Sequence, residues 1–216
     1  MSLPYRADFI RRHTRLQRPP HAAEIELHLA DEITPIWRMT ETELESLGLP
    51  PPFWAFAWAG GQALARWLLD NPTEVAGKRV LDFATGSGLV AIAAMKAGAA
   101  SVLAADIDVF CAAAVALNAE TNGVEVAFTS ADLLETPPPE VDVICAGDVC
   151  YEKPMAERVL AWLALARANG ARVLIGDPGR SYFPRKGLTR LADYSIATTR
   201  ELEDLEVKRT GVWALD

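Results

Sequence analysis

At 216 residues, half of them apolar, the chain is long enough to bury one large core, yet no apolar run reaches the ~20 residues a membrane helix needs. Its net charge of −8 is uneven: residues 1–20 carry five arginines against Asp8, leaving the remainder near −12, a body that repels phosphate backbones and makes nucleic acid a poor partner. Three cysteines without zinc-knuckle or CxxC spacing, and histidines only at His13, His21 and His28, argue against a redox pair, His-based hydrolysis and a metal site.

No charged leader followed by an apolar stretch marks a secretory signal, so a soluble intracellular protein is expected, cytoplasmic or, in a eukaryote, of the mitochondrial matrix. Residues 4–18 set Tyr5, Phe9 and Leu16 near one helical face with arginines around the rest, the pattern of a surface helix. Scarce serine and the intrusion of Asp8 count against an Arg-rich targeting leader. Glu24, Glu26 and His28 alternate with Ile25, Leu27 and Leu29 as in a half-buried strand, and Thr40 with Glu43 forms a capping box for a helix ending near Gly48. Pro50, Pro51 and Pro52 then close an N-terminal extension, residues 1–49, too short to hold a core of its own beside a main domain, residues 50–216.

Trp58, Gly60 and Gly61 precede a helix marked by Leu64, Trp67 and Leu68. From Gly77 the rhythm is regular. Strands are expected at Arg79–Phe83, Ser101–Ala105, Glu125–Thr129, Val141–Ala146 and Arg172–Ile175, with helices at Leu89–Ala97, Phe110–Glu120 and Lys153–Ala168 between them. Apolar strands alternating with helices imply right-handed crossovers and a parallel sheet covered on both faces. Residues 194–202 and 207–215, joined by a short acidic stretch, read as an antiparallel hairpin. The acids at 201, 203, 204 and 206 read as its solvated tip.

Chemistry gathers where strands end. In VLDFATGSG, Val80 to Gly88, a strand enters a small-residue turn and then a helix, the geometry that lets backbone amides approach a nucleotide. Asp106, 18 residues past Gly88, is placed for ribose hydroxyls. Asp132, after the third strand, is placed for an adenine amino group or for a helix cap. Gly86, Gly88 and Ala91 also satisfy GxGxxG/A, so a nicotinamide cofactor is an alternative. The little chain left for a second substrate region, the position of Asp132 and the suitability of Asp82 for the amino group of a methionine moiety favour a sulfonium methyl donor. Gly60 and Gly61 would bring a helix start close to that moiety. Ser87 is no nucleophile elbow, because Thr85 stands where GxSxG needs its first glycine.

The run from Val80 through Asp106 and Asp132 to Asp148 resembles the seven-stranded, Rossmann-like class I methyltransferases that use S-adenosylmethionine, and DVCY, Asp148 to Tyr151, is similar to the DxxY motif of a group of protein lysine methyltransferases. WAGGQALARWLLDNP, Trp58 to Pro72, and LIGDPGR, Leu174 to Arg180, are similar to the electron transfer flavoprotein β subunit lysine methyltransferases. The resemblance implies a mostly parallel α/β sheet with a C-terminal antiparallel hairpin, and a donor held by Trp58, Gly60, Gly61, Asp82, Ala84, Thr85, Gly86, Gly88, Asp106, Ile107, Asp132, Leu133 and Asp148. It implies Asp148 and Tyr151 as catalytic residues, Tyr151 as an aromatic wall to which Phe53, Trp54 or Trp58 adds cation–π contact, and a substrate lip that includes Asp177 and Arg180. The implied substrate is a protein lysine, on the flavoprotein β subunit or on a ribosomal protein. Ala84 departs from the family's GxGxG at its first glycine, which narrows the freedom of the turn while keeping a small side chain.

Overall fold

The computed structural model describes residues 2–31, 36, 51–184, 186–198 and 207–216; the helix expected between Thr40 and Gly48 and the acidic cluster at 201–206 lie outside them. Helix α1 (Leu3–His13) has Pro4 in its first turn, where a missing N–H breaks no helical bond. It stops short of the expected residue 18, because the Thr14 hydroxyl closes the last turn on the Ile10 carbonyl (2.6 Å) and the chain enters a small antiparallel pair, β1 (Arg15–Gln17) with β2 (Leu27–Leu29).

The main sheet is built from βα units. In chain order come α2 (Ala59–Asp70), β3 (Arg79–Phe83), α3 (Leu89–Lys96), β4 (Ser101–Ala105), α4 (Val109–Thr121), β5 (Ala127–Thr129), β6 (Val143–Gly147), α5 (Lys153–Ala168), β7 (Arg172–Asp177), β8 (Leu188–Ala197) and β9 (Val207–Leu215). Among the described residues the sheet has seven strands in the order β5-β4-β3-β6-β7-β9-β8, parallel from β5 to β7, with β9 antiparallel to both β7 and β8. Alternation along β3 sends Val80 to a core shared with Leu64 and Leu68 of α2 and Val90 of α3, and Leu81 to a core shared with Val159 and Leu163 of α5. Each such fully buried aliphatic side chain contributes about 1.5–3 kcal/mol.

The first hairpin strand begins at Leu188, six residues earlier than expected. β8 is the sheet's edge, mostly open to solvent and shifted in register between Arg190 and Ala192, so no strict alternation marks its start. All three cysteines are buried and free, as packing residues.

The N-terminal residues lie against α4. Ile10 is fully buried, Phe9 meets Phe110 edge-on at 5.6 Å, and the Arg6 guanidinium lies 5.8 Å from the same ring. Two asparagines, Asn118 of α4 and Asn122 at its C-terminal cap, hold the backbone around β2: Asn118 accepts from the His28 N–H (2.7 Å), and Asn122 accepts from the Glu26 N–H (3.1 Å) and donates to the Glu26 carbonyl (2.6 Å). Asn118, fully buried, also donates to the Ser87 carbonyl at 2.8 Å, linking the N-terminal residues to the turn after β3.

Candidate active site

A cleft, open at its mouth, lies at the carboxyl ends of β3 and β6, between the starts of α2 and α3. Neighbouring helices leave opposite faces of a parallel sheet at such a point, which opens a crevice. Trp58, Gly61, Asp82, Ala84, Thr85, Gly86, Gly147 and Asp148 line it.

The turn after β3 runs through positive φ at Ala84 (55°), Gly86 (52°) and Gly88 (83°), so its backbone curls into a cradle for a ligand. Gly88 has a second constraint: a Cβ there would stand 3.2 Å from Val115 of α4. Ala84 has no such freedom, and a non-glycine residue in the left-handed region costs about 1–2 kcal/mol. Ala84→Gly is therefore expected to raise stability by about 0.5–1 kcal/mol after the added chain entropy, seen as a rise of about 1–4 °C in Tm by calorimetry. An unchanged or lower Tm would show that the methyl group of Ala84 relieves its own strain by packing.

Asp82 is buried, and one of its oxygens accepts from the Thr85 hydroxyl (2.5 Å) and the Ala91 N–H (3.0 Å). Burial pushes its carboxyl up to about 7 in spite of those bonds. Asp106, at the end of β4, accepts from the Gly86 and Asp108 N–H groups, both at 3.0 Å, and so ties the glycine turn to the start of α4. Ile107 beside it is 70% exposed. Asp132 caps the short 3-10 turn Leu133–Glu135 by accepting from the Leu134 N–H (3.0 Å), and Arg158 approaches its other oxygen at 3.8 Å.

At Asp148 the chain leaves β6 with φ of 57° and its N–H bonded to the Gly176 carbonyl (2.9 Å). Its carboxylate turns into the cleft, where Oδ2 accepts from the Gly61 N–H (3.0 Å) and Oδ1 accepts from Nε (3.1 Å) and a terminal nitrogen (2.7 Å) of Arg180. Burial raises its pKa, and the Arg180 guanidinium pulls it back down. This contact depends on backbones touching: a Cβ on Gly60 would stand 2.2 Å from the Gly176 carbonyl oxygen and 2.6 Å from Asp148 Oδ2, so only glycine lets α2 start there.

Beside Asp148, Tyr151 is half exposed, its ring 6.0 Å from that of Phe53, which meets Trp58 at 5.9 Å. The Trp58 N–H donates to the Phe53 carbonyl (2.9 Å), fixing the two rings together, and burial raises the Tyr151 hydroxyl's pKa.

Of the residues expected to hold the donor, Gly60, Gly88, Asp106, Ile107, Asp132 and Leu133 are not among those lining the cleft, and four placements differ from the sequence reading in kind. Trp54 is no part of the aromatic wall: it is 1% exposed and stacked on Phe110 at 5.8 Å, while its neighbour Phe53 faces outward. Nothing in PPPFWAF distinguishes the two, because it is the distant Phe110 of α4, on which Trp54 stacks, that receives the inward ring. Gly60 meets Gly176 of β7 and is not among the residues lining the cleft. Asp177 is buried, its Oδ1 accepting from the Gly179 and Arg180 N–H groups, both at 2.7 Å, so it shapes the loop and presents no carboxylate to a substrate. Arg180 points inward to Asp148 and lies over the Trp58 ring at 5.9 Å. Asn118, which carries the Ser87 carbonyl of the cofactor turn, was missed, since a lone asparagine in an alanine-rich helix gives no signal.

Among the described residues no cluster of three or more His, Cys, Asp or Glu side chains is arranged for a metal ion, and no helix is long and apolar enough to cross a membrane. The position of the cleft at the strand ends, its three-residue left-handed cradle and its two buried carboxylates suit a nucleoside with a cationic amino-acid tail. Among solved structures, magnesium protoporphyrin IX methyltransferase from Synechocystis PCC 6803 with bound S-adenosylmethionine superposes with a TM-score of 0.53 at 18% identity, over 72% of this chain and 78% of that one. The family model for ribosomal protein L11 methyltransferase (PrmA) matches residues 64–149. Sheet order, cradle and these matches give the chain the fold of the class I methyltransferases.

The electron transfer flavoprotein β subunit lysine methyltransferase of Xenopus laevis is 38% identical over 214 residues, covering 96% of this chain and 86% of that protein. Its Mus musculus counterpart is 40% identical over 168 residues, 75% of this chain and 66% of that protein. The chain belongs to the family of electron transfer flavoprotein β subunit lysine methyltransferases.

Proposed function

We propose that this enzyme methylates lysine ε-amines of the electron transfer flavoprotein β subunit, with Asp148 and Tyr151 at the reacting amine. One observation carries the reading: a buried carboxylate, Asp148, stands at the cleft beside three aromatic rings, Phe53, Trp58 and Tyr151, of which Phe53 and Tyr151 are half exposed. A lysine with a pKa near 10.4 costs on the order of 4–5 kcal/mol to neutralise at pH 7, and only the neutral amine has a lone pair to give. A site for it must accept an amine N–H, surround the chain with weakly hydrating walls and aim the nitrogen. Asp148 supplies the acceptor, and the aromatic faces supply cation–π attraction of about 0.5–2 kcal/mol to the arriving ammonium.

When bound, S-adenosylmethionine supplies an electrophilic methyl group on a sulfonium that leaves as a neutral thioether. Asp82 and the start of α2 at Gly61 suit its methionine end, with Trp58 above; Asp106 suits the ribose hydroxyls, with the turn of Ala84, Thr85, Gly86 and Gly88 beneath. Ile107, Asp132 and Leu133 suit the adenine end. The nitrogen's proton passes to solvent, and positioning contributes most of the protein's part in the rate. On this reading the main domain spans residues 50–216 and residues 1–49 form an extension, of which α1 and the residues around β2 brace α4. The reading places the enzyme in the bacterial cytoplasm or, in a eukaryote, in the mitochondrial matrix.

A ribosomal-protein substrate is the second reading, favoured by the family model over residues 64–149. Incubating the purified chain with a cell lysate and methyl-labelled S-adenosylmethionine, then sequencing the labelled band by mass spectrometry, separates the two. The expected product is methyl-lysine on the flavoprotein β subunit. Label on a ribosomal protein alone selects the second reading, and a lysate without labelled protein refutes both.

A further inference from the structure

Arg180 follows β7 in a loop whose backbone is fixed by Asp177, and its side chain is anchored at the other end by Asp148, so both ends of the residue are held. The pair is buried, with side-chain exposures of 18% for Arg180 and 10% for Asp148, and the guanidinium lies over the Trp58 ring. A carboxylate has about four lone-pair sites. Among the described residues three N–H donors engage that of Asp148, one from Gly61 and two from Arg180, which leaves one acceptor direction at a cleft-lining residue.

Resting on the lysine-methylation reading above, we infer that Arg180 is a positioning residue: it fixes the Asp148 carboxylate so that its one remaining acceptor direction meets the target amine, and it balances the carboxylate's charge before the amine arrives. The second part answers a conflict in the chemistry. A buried carboxylate with no counter-charge attracts a lysine strongly but holds it as ammonium, because a nearby opposite charge favours the charged form. Such a site binds its substrate in the unreactive state. With the guanidinium in place the pair is formally neutral, and a second cation beside it is disfavoured, so the lysine releases its proton more readily while still donating an N–H to Asp148. The fork geometry matters as well as the charge. Arg180 uses Nε and a terminal nitrogen on one oxygen, which a lysine at the same position reproduces only in part.

Three variants test this. Arg180→Gln is expected to lower kcat by about 30-fold or more while S-adenosylhomocysteine, titrated by calorimetry, binds within about threefold of the unmutated enzyme. Arg180→Lys is expected to recover about half of that loss on a logarithmic scale, and Arg180→Ala to regain activity when guanidinium ion is added at a non-denaturing concentration. Melting of the ligand-free protein gives a readout that needs no activity. Without Arg180 the folded-state pKa of Asp148 rises further above its unfolded value, so stability is lost as pH increases. Arg180→Gln is therefore expected to lower Tm more at about pH 8.5 than at about pH 5.5, and to lose most of that pH dependence when Asp148 is also replaced by Asn, leaving only what the neighbouring Asp177, Cys150 and Tyr151 contribute. A kcat near that of the unmutated enzyme, or a Tm difference that does not change with pH, overturns the inference. An unmutated enzyme that labels no protein overturns instead the substrate reading on which it rests.

Discussion

Replacing Asp148 by Asn is expected to cut methyl transfer by about 10²–10³-fold while S-adenosylhomocysteine still binds within a few-fold of the unmutated enzyme. The substitution keeps the shape but changes the inventory of donors and acceptors. The carboxylate accepts from Gly61 on one oxygen and from Arg180 on the other; an amide has a single oxygen, so its NH2 must face one of those two donors. The buried guanidinium also loses its counter-charge, a change worth about 2–4 kcal/mol and so several degrees in Tm. Activity falls further than stability because the amine loses its acceptor as well. Initial rates on the protein substrate, set beside calorimetric affinity and a melting curve, separate these effects. Rates within threefold of the unmutated enzyme would remove Asp148 from the reacting centre.

The second large effect is expected at Asp82. Its folded-state pKa, about 7, lies above the ordinary carboxylate value of 3.8, so the folded protein holds this proton more tightly than the unfolded chain. The associated stability is fully present below about pH 4 and is lost as pH rises through about 7, a cost on the order of 2–4 kcal/mol in the ligand-free protein. Asp82→Asn keeps an oxygen for Thr85 and Ala91 and removes the ionisation. It is expected to match the unmutated protein at about pH 3, below the unfolded pKa, and to exceed its stability by about 2–4 kcal/mol at about pH 8. The same change should weaken S-adenosylhomocysteine by about 30-fold or more, because the ligand's ammonium loses its carboxylate. In the unmutated protein, affinity should fall as pH drops below about 7, and in the variant it should be flat. A variant that binds tightly at all pH values would place the amino group elsewhere. The strained Ala84, the desolvated Asp82 and the buried Asp148–Arg180 pair all lie at the cleft, where stability is given up for binding geometry.

The alternation from Arg79 to Asp177 was legible because a strand buried on both faces must be continuously apolar, and a crossover helix between parallel strands leaves no other order. Strand ends were legible for the same reason: Asp82, Asp106 and Asp148 interrupt apolar runs where backbone emerges from the sheet. The early start of β8 was not, since an edge strand half open to solvent tolerates Thr, Arg and Asp in either phase.

By itself the sequence determined the βα order, the glycine-rich turn and that acids stand at the ends of strands, because these follow from local backbone preference and from the period of apolar residues. Only the tertiary structure decided that Phe53 and not Trp54 faces outward, that Gly60 serves a helix–strand contact with Gly176, and that Arg180 closes on Asp148. Each of these joins residues from different elements, up to 116 positions apart in the case of Gly60 and Gly176, and turns on angstrom-scale approach between backbones, which no pattern within one segment encodes.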